Sequence, residues 1–293
     1  MKLGIIGGSG LYAIDGLANL QEVAVETPFG APSDVMFEGR LTNVDVVFLP
    51  RHGRGHRLMP AELNHRANIF ALKTRGVDRI ISFSAVGSLR EDIAPGDFVL
   101  VDQFVDRTKQ SAKHTFFGNG VVAHIAFAHP TCPVLRSVIS IIVREVAAES
   151  GGAFNMHNGG TYLNMEGPAF STLAESILYK SWGMDVIGMT NLAEAKLSRE
   201  AEICYLPVAM VTDYDCWHED HESVSVEMII ETLMKNAATA KAVIKSLAAV
   251  LAATGDDGCD CRSALDNAII TAPDAIPAAA RAELAPIIGK YIV

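Results

Sequence analysis

Two carboxylates, Asp213 and Asp215, close an apolar, β-prone run over 201–211. Residues 208–211 read as a buried strand. Alternate side chains of an extended chain share a face, so both carboxylates are expected on one side. Charges at the end of a buried strand are costly unless something meets them. Three partners fit this D-x-D: an Asx-type turn, a divalent cation such as Mg²⁺ or Mn²⁺, or a ligand with paired donors. The N6 amine and a protonated ring nitrogen of adenine form such a pair.

A second set of residues suits an anion. Gly7-Gly-Ser-Gly10 follows a short apolar run, and exposed backbone N–H groups with the Ser9 hydroxyl fit a small oxyanion. Gly8-x-Gly10-x-x-Ala13 also matches a dinucleotide fingerprint. That fingerprint requires a long helix and a later acid, and Asp15-Gly16 interrupts the chain too soon. Arg51 and His52 stand in a glycine-flanked turn, where a guanidinium fork suits phosphate unless the turn is merely solvated. Ser84-Ala-Val-Gly-Ser88 is a third small, hydroxylated turn.

The elements that must carry these turns form an α/β pattern. Strands are expected at 2–6, 46–49, 79–83, 97–101, 161–165 and 184–189. Helices are expected at 60–74, 133–150, 173–182 and 192–199, and a long one from Ser223 or Ser225 onward. Open α/β sheets bind ligands at the carboxyl ends of their strands. Residues 109–132, irregular and including His124, read as a functional loop or a subunit contact. Residues 217–222 read as a polar lid. After about 251 the texture changes, through a 255–258 linker to an Ala- and Pro-rich tail with an amphipathic helix near 278–284. That gives a main domain over 1–250 and an extension, 251–293, packing on the body or on a neighbouring subunit.

Composition narrows the class. The chain has 293 residues, 49% hydrophobic and 20% charged, with a net charge of −10. A nucleic-acid partner held by charge is not expected. No secretory leader or bilayer-spanning run is read, so a cytoplasmic location is expected. Five scattered cysteines do not form a disulfide framework, and no zinc spacing is present. Cys259 and Cys261 are read as solvated loop thiols, with a redox pair or a weak metal pair as alternatives.

Taken in order, Gly7-Gly-Ser-Gly-Leu11, Pro50-Arg-His-Gly53, Gly87-Ser-Leu-Arg90, Pro95-Gly-Asp97, Asp102-Gln-Phe-Val-Asp-Arg-Thr108, Glu166-Gly-Pro168, Phe170-Ser171, Gly188-Met-Thr190 and Thr212-Asp-Tyr-Asp-Cys-Trp217 resemble the trimeric purine nucleoside phosphorylases. The resemblance covers residues 2 to about 248 and is strongest to the branch acting on S-methyl-5′-thioadenosine. It implies a single domain built on a central mixed, partly barrel-like β-sheet flanked by helices, with a C-terminal helical extension. It also implies a homotrimer, or a hexamer as a dimer of trimers.

Site roles follow from the same resemblance. Phosphate would be held by Ser9, Arg51, His52, Ser84, the backbone N–H of Ala85, and Thr190. Met189 would lie against the ribose. Asp213 and Asp215 would face N7 and the N6 amine of adenine, with Tyr214 between them and Phe170 and Ser171 lining the base pocket. Val226 and Ile229 would form an apolar slot for the 5′-methylthio group. His124 would reach in from a neighbouring subunit. No cofactor and no metal are implied, since inorganic phosphate is the co-substrate. Ala169 departs from the family's usual Arg and is expected to loosen Glu166.

The implied reaction converts methylthioadenosine and phosphate to adenine and 5-methylthioribose 1-phosphate. Asp213 is the candidate to hold or donate the N7 proton, and repulsion between the two aspartates should raise one pKa. Other readings remain: a 6-oxopurine or methylthioinosine phosphorylase, a metal-dependent nucleoside hydrolase, or a nucleotide-binding regulatory module.

Overall fold

The computed structural model describes residues 1–8, 11, 17–218, 226–253 and 258–292, without the side chains of 226–229, 252 and 253. The expected Ser9 contact and most of the 217–222 lid therefore lie outside the described residues, as do the side chains of Val226 and Ile229.

Eleven strands form one mixed sheet: β1 Lys2–Gly7, β2 Leu17–Val23, β3 Met36–Leu41, β4 Val44–Pro50, β5 Arg79–Ser88, β6 Phe98–Leu100, β7 Gln103–Asp106, β8 Met156–Asn158, β9 Thr161–Asn164, β10 Val186–Gly188 and β11 Cys204–Asp213. The order β2-β3-β4-β1-β5-β10-β9-β7 is one path, and β11, β6 and β8 branch from β5. β1, β4 and β11 run parallel to their partners β1 or β5, whereas β10 meets β5 antiparallel.

β5 is the hinge of this arrangement. Its first half pairs with β1 through Ser82, and its last two residues pair with β10. Between these pairings the strand leaves β1 while β11 stays beside it. A cleft opens where β1, β4, β5 and β11 end, the place where open parallel sheets present ligand sites.

Helices cover both faces: α1 His65–Thr74, α2 Pro133–Glu149, α3 Leu173–Ser181, α4 Asn191–Glu200, α5 Val226–Ala253, α6 Ala278–Glu283 and α7 Ala285–Ile288. α2 shows how the sequence selects its face. Leu135, Ile139, Ile142, Val143 and Val146 recur at helical spacing and are buried, while Ile141 is exposed. α2 and α5 share one core with the strands, and α1 and α4 share another with the C-terminal extension.

Several sequence expectations change. The helix expected from Pro60 begins at His65, after a separate short turn at Pro60–Glu62, because Asn64 caps it by accepting the Ala67 N–H. β2 and β3 were not expected: β2 is mostly exposed, and β3 buries only its two ends, Met36 and Leu41, around a polar middle, so neither shows a clear alternating pattern. The 109–132 stretch is pinned by the C-terminal extension: Ile270 N–H donates to Val122 O and His124 N–H to Ala268 O.

Candidate active site

The ends of six strands, β1, β4, β5, β9, β10 and β11, and their turns converge on one cavity of about 250 Å³. Its lining includes Gly8, Arg51, His52, Ser84, Ala85, Gly87, Phe170, Met189, Thr190, Asp213 and Asp215. The anion-suited Arg51, His52 and Ser84 and the paired carboxylates, more than 100 residues apart in sequence, thus face one space.

Arg51 follows β4 and is buried. Its Nε donates to Glu194 Oε1 at 2.6 Å, Nη1 to Phe83 O at 2.8 Å and Nη2 to Ser82 Oγ at 2.5 Å. Glu194 lies one turn into α4 and is 1% exposed. Burial opposes both charges, but their mutual attraction prevails, holding Arg51 above and Glu194 below their ordinary values. Around them, Asn191 donates to Ser82 Oγ and to Tyr205 OH, each at 2.9 Å, and Tyr205 OH donates to Glu194 Oε2. Sequence reading missed this network. Its signal was Asn191-x-x-Glu194, one helical turn apart directly behind Thr190.

The guanidinium is therefore largely occupied by protein partners. Five N–H donors exceed those contacts, so Nη1 retains one for a ligand. Among the described lining residues Arg51 is the sole permanently charged cation. Neutral groups supply the rest. Thr190 is the N-cap of α4, yet its hydroxyl makes no cap hydrogen bond. A helix N-terminus whose cap hydroxyl is not spent on the helix backbone suits an anion. Ser84 Oγ donates to Asn191 Oδ1 at 2.5 Å, so its one proton must rotate from that amide to a phosphate oxygen for the hydroxyl to hold an anion.

His52 stacks on His56 with centroids 4.3 Å apart, and its Nδ1 lies 2.8 Å from Leu58 O. Only an N–H can satisfy that carbonyl, so Nε2 is the acceptor in the neutral ring. Burial, then the neighbouring Arg51, lowers the His52 pKa to about 4.

The carboxylates share the cavity, but not through simple alternation. The β11–β5 register shifts between Val211 and Asp213, and Asp215 adopts a left-handed φ of 49° at the start of a short turn. Asp213 Oδ1 accepts the Asp215 N–H at 2.8 Å, and Oδ2 accepts Thr212 Oγ1 at 2.7 Å. Asp215 Oδ2 accepts Ser176 Oγ at 2.5 Å. Both pKa values are raised, and burial is the main cause for each. The expected repulsion is a minor contribution, and it acts on Asp213, whereas the charge that raises Asp215 is that of Glu175. A glycine at 87 leaves room for this tip: a Cβ there would sit 2.9 Å from Asp213 Oδ1.

Other expected residues divide. Ser171 lies beside the site, its carbonyl accepting Cys216 Sγ. Tyr214 turns away, its OH donating to Glu91 O and its ring stacking on His218, so its side chain is not part of the cavity wall. His124 is exposed on the strip tied to the C-terminal extension, outside this cavity. Glu166 is not loosened by Ala169, because the Lys109 N–H and the Gln110 side chain both bind it. Leu233 of α5 completes an apolar wall with Met210 and Phe83.

Comparison with known proteins gives a consistent family. Residues 2–249 match the Phosphorylase superfamily. An S-methyl-5′-thioadenosine phosphorylase of Geobacter sulfurreducens is 56% identical over 290 residues, 99% of each chain. A crystal structure of a methylthioadenosine phosphorylase from an antarctic soil metagenomic library aligns with TM-score 0.90 and 47% identity, covering 98% of each chain. Methylthioadenosine phosphorylase from Schistosoma mansoni, in complex with adenine, aligns with TM-score 0.81 and 36% identity over 87% of this chain and 93% of that one.

Proposed function

The chain belongs to the phosphorylase superfamily, and from that premise we propose that it catalyses reversible phosphorolysis of S-methyl-5′-thioadenosine to adenine and 5-methylthioribose 1-phosphate. The observation that carries this reading is the single cavity bounded by the Arg51–His52 turn on one side and the Asp213–Asp215 tip on the other.

Cleaving the N-glycosidic bond leaves positive charge on the ribosyl carbon and pushes electrons into the purine. The site must answer both. Phosphate sits under C1′, held by Arg51 Nη1, the Ser84 and Thr190 hydroxyls, the Ala85 N–H and the Ser9 turn. It stabilises the cationic centre and then bonds to C1′ through one oxygen. His52 Nε2, as an acceptor, receives a hydrogen bond from the single P–OH of the HPO4²⁻ dianion, with no proton transferred. Met189 lies against the ribose.

Adenine leaves as N7 gains a proton from Asp213, whose raised pKa favours the protonated acid. Asp215 accepts from the N6 amine. A carboxylate pair favours a 6-aminopurine over a 6-oxopurine, whose O6 needs a donor. The 5′-methylthio group lies on the Leu233 side of the cavity. Val226 and Ile229 stand two turns and one turn before Leu233 on α5, which supports their expected slot role.

The working assembly is a homotrimer. Phe170, Leu173, Ile177 and Trp182 form an exposed apolar face along α3, and Phe170 also lines the cavity. A second copy covering that face would bury it beside the substrate. His124 is carried over as the residue a neighbour contributes.

Adenine release from methylthioadenosine, followed with and without phosphate, tests the reading. Release that requires phosphate supports it; equal release without phosphate contradicts it. Chelator insensitivity of the same rate separates it from a metal-dependent hydrolase.

A further inference from the structure

The cysteines behave differently from the sequence expectation. Cys261 is buried rather than solvated, and Cys259 is half-buried. Cys132 and Cys204 join them, and all four Sγ atoms lie within 4.8 Å of one another. The chain brings them from three distant stretches: the cap of α2, the first residue of β11 and the turn opening the C-terminal extension. None of the four is in a disulfide.

We propose that Cys132, Cys204, Cys259 and Cys261 hold a single structural zinc ion. Zinc takes four thiolates in a tetrahedron with Zn–S near 2.3 Å, which puts the sulfurs about 3.8 Å apart. The observed spread brackets that value, from 2.9 Å between Cys204 and Cys259 to the 4.8 Å limit. Sulfurs this close surround one ion, since a multi-iron cluster needs room for several metals and bridging sulfides. Thiolate donors select a soft ion over Mg²⁺ or Ca²⁺.

The surroundings fit four ligands and a closed site. The Leu135 N–H donates to Cys132 Sγ at 3.4 Å, at a helix N-terminus, where a thiolate is favoured. Arg79, itself buried, lines the same small space with Cys132, Cys204 and Cys259, and its charge offsets part of the net double negative of a zinc tetrathiolate. That space is about 10 Å³, which leaves no position for a substrate. Loading releases the four thiol protons to solvent and forms four Zn–S bonds, with no redox change. The ion would clamp the start of the extension to the start of β11, the strand whose far end carries Asp213.

The CxC pair alone is not a zinc signature, and the other two cysteines are isolated in sequence, so only the fold reveals the set. The proposal is independent of the active-site reading.

The test is metal content of the intact protein purified with zinc present and exchanged into metal-free buffer. One zinc per chain is expected, with only Cys216 open to alkylation until a strong chelator is added. Cobalt substitution should give the intense visible bands and sulfur-to-metal charge transfer of a tetrahedral thiolate site. Chelation should lower Tm by about 5 °C or more. The double variant Cys259→Ser, Cys261→Ser should lose the metal, and Cys216→Ser should keep it. Wild-type protein without stoichiometric zinc, or with disulfides among these four cysteines by intact mass, would overturn the proposal. So would zinc retained by the double variant, which marks an adventitious ion.

Discussion

Arg51 and Glu194 form a buried ion pair, Nε to Oε1 2.6 Å, at the floor of the cavity. The sequence alone offers Arg51 as a free fork for an anion; in this fold its carboxylate partner fixes it, and the ligand receives what remains. The pair also ties β4 to α4, so two anion-binding turns share one support.

Glu194→Gln should therefore act through Arg51. It leaves a buried guanidinium without its counter-charge, which costs about 3–5 kcal/mol of stability. In enzyme that stays folded, KM for phosphate should rise more than 10-fold, with KM for the nucleoside changing far less. A uniform loss in kcat with both KM values unchanged would show that Glu194 is only structural.

Asp213→Asn tests the purine side. kcat/KM for methylthioadenosine should fall by about 10²–10⁴, while 6-oxopurine nucleosides gain relative to it. Wild-type kcat/KM should decline as pH rises through the raised Asp213 pKa, and the variant should lose that limb. Unchanged adenine-nucleoside turnover would remove Asp213 from the mechanism.

Gly87→Ala probes packing rather than charge. The new Cβ would press on Asp213 Oδ1 at 2.9 Å and Ile187 Cγ2 at 3.2 Å. Displacing the acid by a few tenths of an ångström should lower kcat several-fold, short of the roughly 10²-fold that a 1 Å misplacement costs, with secondary structure by circular dichroism retained. A Tyr214→Phe variant is the contrast. Its hydroxyl binds Glu91 O away from the cavity, so kcat/KM should stay within about 3-fold, consistent with a surface hydrogen bond worth under about 1 kcal/mol.

His52 gives a pH signature. Its folded pKa, about 4, lies below the unfolded 6.5. The folded state therefore binds fewer protons between these values, and unfolding takes protons up. The stabilisation is complete above pH 6.5 and is lost as pH falls toward 4, on the order of 3 kcal/mol. Denaturant melts at stepped pH should show a shallower acid loss for His52→Asn than for wild type. Equal slopes would show that the ring is not held neutral.

Much of this was legible in the chain. The three anion-suited turns and the D-x-D announced themselves by recurring at strand ends, since each alone has an ordinary structural use in a turn. The α/β order followed from apolar runs and helical spacing, whereas the capping box of Thr172 with Glu175 that opens α3 went unread. What stayed hidden depends on tertiary contact. Glu194 reads as one more polar helix residue until Arg51 is packed against it. The shared face of Asp213 and Asp215 arises from a register shift and a left-handed residue, neither of which composition reports. The cysteine cluster needed α2, β11 and the extension to meet.

The central claim is that phosphate itself, bound in the same cavity as the nucleoside, attacks C1′. Reaction with ¹⁸O-labelled phosphate tests it most directly. Mass spectrometry of the products should show 5-methylthioribose 1-phosphate retaining all the label, formed one for one with adenine. Free 5-methylthioribose carrying oxygen from water, with the labelled phosphate unconsumed, would contradict the account.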